Sequence, residues 1–588
     1  MASHNRRWNF VTFSCCIIVL LVPLVAPRPQ QPSAASIVLE EYNTFRAENP
    51  EWTFNHLAVD RKNGNVFLGA VNRIYKLSPE LDVQVSHQTG PEEDNRNCYP
   101  PRIVQPCSEP LTLTNNVNKM LLMDYRENRL LACGSLYQGI CKLLRLDDLF
   151  KLGEPFHKKE HYLSGVNESG SVFGVIVSYG DASPDKLFVA TAVDGRPEYF
   201  PTISSRKLTR NSEEDGMFAY VFHDEFVASM IKIPSDTFTV VPDFDIYYIY
   251  GFSSGNFVYF LTLQPEMGGG PTTGSSAAGR EQVYTSKLVR LCKDDTAFNS
   301  YVEVPLGCVK DGVEYRLLQA AYLSKAGSIL ARSLGVGPDD DILYAVFSKG
   351  QKRRPKESSQ ESALCVFTLK EINERIKDRL QSCYKGEGTL DLAWLKVKDI
   401  SCSSALLTID DNFCGLDMNA PLGVSEMVRG IPLFSESKDK MTSVIAYVYK
   451  NHSLAFVGTK GGRLKKGIDV TGGQIFAKRQ NSNFDALLLW CRFVLLDLAV
   501  DENPGLVPKI PANRREYRQK STDTNKCSWP NHQETDSQHS DVLVRPDGQT
   551  TRTHARTNLL VAISVIADLR GKKQQMMSLL SLGQTETK

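Results

Sequence analysis

Residues 115–146 read NNVNKMLLMDYRENRLLACGSLYQGICKLLRL, and their pattern decides the fold class. Residues 120–123 (MLLM) are apolar and strand-like, and 125–128 (YREN) carry the charges that suit a turn. Residues 130–133 (LLAC) form a second apolar run, and 134–139 (GSLYQG) turn the chain. Residues 140–146 alternate apolar and polar side chains, as a half-buried strand does. If the last two strands pair as a hairpin, Cys133 and Cys141 flank its turn and face each other within disulfide reach.

The same motif recurs along the chain. Short apolar cores flanked by Gly, Asn, Asp or Ser stand at 66–69 (VFLG), 130–133 (LLAC), 187–190 (LFVA), 258–261 (VYFL), 343–346 (LYAV) and 454–458 (LAFVG). Their starts lie 64, 57, 71, 85 and 111 residues apart. A repeated all-β unit with a long, irregular period fits propeller blades carrying insertions, because radial stacking buries both faces of each small sheet. Two β-sandwiches would also give many short strands, and the repeat favours the propeller. Insertions sit at 267–280 (MGGGPTTGSSAAGR) and at the basic run 349–356 (KGQKRRPK), read as a solvated loop with heparin or protease contact as the sharper alternative. Residues 370–380 (KEINERIKDRL) carry helical periodicity through Ile372, Ile376 and Leu380.

The chain has 588 residues, is 42% hydrophobic and 23% charged, and has a net charge of +1. That balance argues against bulk electrostatic binding of nucleic acid or anionic membrane, so no nucleic-acid partner is expected. Arg6 and Arg7 precede the apolar run 11–26 (VTFSCCIIVLLVPLVA). Sixteen residues with Pro23 inside are short for a membrane span and read as a secretory signal, with residues 1–35 as signal and lead-in. Cleavage near Ala26 and near Ala34–Ala35 both fit. Ten of the 14 cysteines lie between Cys98 and Cys414, so disulfides are expected in this oxidising context. Asn167 and Asn451 begin glycosylation sequons.

Three motifs raise enzymatic chemistry. His157, Glu160 and His161 match HxxEH, a zinc-peptidase pattern that needs a sustained helix, yet Gly153, Pro155 and Gly165 surround it. Residues 251–255 (GFSSG) match GxSxG, but the segment after Ser253 reads as a strand where a nucleophile elbow needs a helix. Asp410, Asp411, Asn412 and Asp417 offer oxygen ligands without EF-hand spacing, and suit turns and caps. A secreted zinc or serine hydrolase is thus a remote alternative. The expectation is a binding protein, not an enzyme, with no cofactor and no metal.

Longer stretches carry a family resemblance. Residues 55–78 (NHLAVDRKNGNVFLGAVNRIYKLS), 90–107 (GPEEDNRNCYPPRIVQPC), the opening stretch and 442–466 (TSVIAYVYKNHSLAFVGTKGGRLKK) resemble the sema domain of the class A plexins. The resemblance runs from about Phe45 to Lys466. It implies a seven-bladed β-propeller that binds semaphorins at the cell surface in axon guidance, with neuropilin as a co-receptor. It also implies the disulfides Cys98–Cys107, Cys133–Cys141, Cys292–Cys414, Cys308–Cys365 and Cys383–Cys402. In plexins the semaphorin docks edge-on against the middle blades, which points here to residues 191–200 (TAVDGRPEYF) and 221–230 (VFHDEFVASM), with Asp194 and Phe226 as first candidates. Phe226 is read either as an exposed anchor or as blade core.

Past Lys466 the resemblance stops. Residues 467–588 read as a divergent, mostly unstructured tail. The apolar runs 484–500 and 559–569 are too charged or too short to span a membrane, and Cys491 and Cys527 have no family partners. The expectation is a propeller lacking its last blade, a shortened product without transmembrane or GTPase-activating regions, secreted and able to act as a decoy. Exposed blade faces raise the prospect of self-association.

Overall fold

The computed structural model describes residues 45–468, except 50, 154–158, 169, 181–182, 194–200, 211–215, 242–243, 267–282, 351–358, 396–399, 406, 450 and 462. The signal run and the whole tail after residue 468, with its two cysteines and both late apolar runs, lie outside the described residues, and with them the stretch on which the expectation of a missing last blade rests.

Among the described residues six antiparallel blades follow in chain order, with the short antiparallel pair Glu92–Asp94 and Thr112–Thr114 between the first two. Blade one comprises Phe54–Val59, Val66–Ala70, Arg73–Leu77 and Val83–Gln88, and blade two Met120–Asp124, Arg129–Cys133 and Cys141–Arg145. Blade three comprises Val172–Val177, Lys186–Thr191, Ile203–Lys207 and Met230–Ile231. Blade four runs through Tyr247–Ser254, Phe257–Pro265, Tyr284–Cys292 and Val302–Lys310, and blade five through Val313–Lys325, Asp341–Lys349, Ser362–Thr368 and Val428–Glu436. Met441–Tyr449, His452–Thr459 and Leu464–Ile468 make blade six. The first strands of successive blades touch one another from blade one to blade six, so they line the inner side of the ring.

All six apolar cores read from the sequence fall in second strands. These strands are buried on both faces, and the reason is the strand period of two. Leu130 packs toward Phe67 of blade one, while Leu131 packs toward Leu187 of blade three. Phe188 then meets Phe260 of blade four, and Leu261 meets Leu343 of blade five. Tyr344 closes the series against Val457 of blade six. Consecutive residues thus serve opposite neighbours, and a run with no polar break results. Each Leu or Phe buried this way contributes about 1.5–3 kcal/mol.

Blades four and five share one sheet. The tight turn at Asp311 and Gly312, both at positive φ, joins Val302–Lys310 to Val313–Lys325. Leu306, Gly307 and Cys308 also pair in parallel with Val428, Arg429 and Gly430. Among the described residues there are five disulfides, with the pairings that the resemblance implies. Cys308–Cys365 bridges blade four to blade five, and Cys133–Cys141 joins residues directly opposite each other in blade two. Cys98–Cys107 staples the excursion between blades one and two. Cys292–Cys414 and Cys383–Cys402 tie down the segment that follows helix Leu369–Cys383. Thr368 caps that helix, its hydroxyl accepting from the Glu371 amide at 3.2 Å. Its apolar face, Ile372, Ile376 and Leu380, is buried against the core shared by blades four and five.

Candidate docking site on blade three

Blade three carries its site on an excursion between its last two strands. The returning chain pairs again with Ile203–Lys207: Lys207 N–H donates to the Ala219 carbonyl at 2.8 Å, and Val221 N–H to that of Ser205 at 3.1 Å. Ser205 N–H in turn donates to the Ser229 carbonyl at 3.0 Å. A narrow hairpin rises from this base. Ser229 N–H donates to the Phe222 carbonyl at 2.9 Å, and Phe222 N–H donates to the Ser229 hydroxyl at 3.1 Å.

The tip is held by one side chain. Asp224 Oδ1 accepts from the amides of Phe226 at 2.8 Å and Val227 at 2.6 Å, while Asp224 N–H donates to the Val227 carbonyl at 2.9 Å. Those amide bonds, Val227's foremost, hold the carboxyl below the usual aspartate range, with a smaller contribution from His223. Phe226 stands 87% exposed, with Phe222 at 40% and Val227 at 37% beside it. Three apolar side chains on one hairpin, flanked by His223, Asp224 and Glu225, form an apolar tip with a polar surround.

The foot of the hairpin is rigid. The buried Arg206 guanidinium lies 3.9 Å from the Tyr220 ring centroid, and Tyr220 stacks on His223. Arg206 also donates to Ser204 Oγ at 2.8 Å and to the Phe218 carbonyl at 3.2 Å. From blade two, Arg129 donates to the Thr209 carbonyl at 2.7 Å while bound to Asp124 at 2.8 Å.

Phe226 is therefore surface, not blade core. Asp194, its companion candidate, lies outside the described residues. Asp224 lies inside the expected stretch 221–230 without being singled out in it, although Asp is a residue whose side chain favours turns by bonding the backbone two residues on. Phe222 and Val227 were missed because nothing in an apolar letter states its exposure.

The described residues of the three catalytic motifs take other roles. His157 lies outside the described residues. Glu160 and His161 sit in the 3-10 turn Lys159–His161, where HxxEH needs α-helical spacing. The His161 ring is buried edge-on against Phe218 at 5.2 Å. Ser253 lies within Tyr247–Ser254, paired with Val258 of the next strand, so GFSSG is a β-hairpin. Asp410 accepts from the Asn412 amide at 3.0 Å, and Asp411 pairs with Lys377 at 2.6 Å, which are turn and surface roles. Among the described residues no group of three or more His, Cys, Asp or Glu is arranged to hold a metal, and no helix is long and apolar enough to cross a membrane. Asn451 is exposed at a turn between two strands of blade six, and Asn167 is half-buried.

Comparison with known proteins gives these features a setting. The family described as the Sema domain matches residues 318–485. Plexin-A4 of Danio rerio is 95% identical over 466 residues, 79% of this chain and 24% of that protein. Plexin-A4 of Mus musculus is 76% identical over 459 residues, 78% of this chain and 24% of that protein. The chain belongs to the plexin family. Within it the similarity is to class A and to the fourth paralogue of that class. The solved extracellular region of plexin A4 superposes with a TM-score of 0.70 at 78% identity, covering 74% of this chain and 47% of that one. The blades described above are thus a plexin sema propeller. The chain spans about a quarter of the length of these plexin relatives.

Proposed function

We propose that this chain is the semaphorin-binding portion of a class A plexin, carried into the secretory pathway by residues 11–26 and displayed outside the cell. Family membership supplies the ligand class. The observation that carries the site is the braced hairpin of blade three, which lifts Phe226 into solvent at 87% exposure. A large exposed aromatic on a rigid support costs little further ordering on binding, which is what an interface anchor needs. Asp194 is proposed as a second contact. Neuropilin is proposed as a co-receptor, self-association as a further contact, and glycans at Asn167 and Asn451 as secretory modifications.

The test is binding of the purified chain to a panel of immobilised semaphorin ectodomains. The expected result is saturable binding to at least one of them, weakened about thirtyfold by F226A, the size expected of a hot-spot truncation. Absence of binding across the panel, or an F226A variant that binds like the parent, sinks the reading of this site.

A further inference from the structure

We infer that Asp224 is a positioning residue for partner binding, holding the hairpin tip in the one shape that projects Phe226. The inference rests on the docking role proposed for the hairpin and deepens it.

An exposed aromatic next to Phe222 and Val227 has an obvious alternative to projecting into water. It can fold back onto its apolar neighbours and bury part of its own surface. Local contacts of the Phe226 ring do not prevent this, because the ring is 87% exposed and has little to lean on. The backbone prevents it. Asp224 fixes residues 224–227 through three hydrogen bonds, two accepted by Oδ1 and one donated by its own amide to the Val227 carbonyl. Without the carboxylate, the amides of Phe226 and Val227 turn to water and the tip samples many shapes. A partner then has to select the projecting one, and affinity falls by that population. The second oxygen of Asp224 takes no part in holding the two amides, so an amide side chain with one acceptor oxygen can replace it.

The experiment compares D224A, D224N, F226A and D224A/F226A in the full chain, read by semaphorin-ectodomain binding and by hydrogen exchange of the tip amides. D224A is expected to bind about tenfold more weakly, and D224N within about twofold of the parent. The double variant is expected to lose no more than F226A alone, because Asp224 acts through Phe226. Exchange at Phe226 and Val227 accelerates in D224A and stays near the parent rate in D224N. If the D224A and F226A losses multiply, or D224N falls as far as D224A, Asp224 touches the partner itself and the positioning role is overturned while the docking site stands. A D224A variant that binds and exchanges like the parent overturns it as well. If F226A binds like the parent, the docking site falls and this inference falls with it.

Discussion

One carboxylate oxygen carrying two backbone amides makes the hairpin tip sensitive to acid. The Val227 and Phe226 amides bond best to charged Asp224, so its pKa lies lower in the folded tip than in a free chain. A carboxyl with a depressed folded pKa contributes fully above its ordinary value of about 3.9 and loses that contribution as pH falls through the lower folded value. Protection of the tip amides against exchange should therefore fall in the parent chain below about pH 4. D224N, which has no proton to gain, should show no such step. Comparing the two variants across the same pH series separates the local effect from acid loosening of the whole ring. An identical step in D224N would show that another group is responsible.

At the scale of elements, the opening stretch depends on the turn that separates its last two strands. Gly139 has φ +80°, and a Cβ there would stand 2.3 Å from the Gly165 amide nitrogen. A substitution meets backbone strain and a backbone collision together. Gly139→Ala is expected to lower stability by at least about 2 kcal/mol, measured as a shift in the urea midpoint. The elements that sequence reading located best were the second strands, because burial on two faces leaves an unbroken apolar run such as Leu187 to Ala190. Outer strands such as Val83–Gln88 are exposed along much of their length and leave no comparable trace. The shared sheet of blades four and five was illegible, since the parallel pairing of Leu306 with Val428 crosses more than a hundred residues. The site was half legible: Phe226 was named, but its exposure and its dependence on Asp224 come from backbone pairing to Ser205 and Ser229, which no local pattern encodes.

For the molecule as a whole, stability is shared between blades rather than held within them. Each junction from the first blade to the sixth is an apolar core built from both neighbours. Loss of one blade therefore exposes faces of two others. The covalent link Cys308–Cys365 adds to this at one junction, closing a loop with a sequence separation of 57. Replacing both cysteines with serine is expected to cost about 4 kcal/mol on the chain-entropy account. Because the junction is shared, the unfolding transition should move as one step, followed by tryptophan fluorescence and far-ultraviolet dichroism together. Divergence of the two signals would show that the fourth and fifth blades unfold apart from the rest.

That same junction has a mechanical meaning. Two blades joined by one continuous sheet and a covalent strut cannot shear past each other without breaking ladder hydrogen bonds or a sulfur–sulfur bond. The other junctions combine side-chain packing with scattered hydrogen bonds and ion pairs such as Arg126–Asp185, and among the described residues none of them carries a disulfide or a continuous sheet. A pull on the blade-three hairpin reaches a stiff wedge on one side and a more compliant run of blades on the other. Deflection under load should therefore gather between blades one and three, and the wedge should move as a single body.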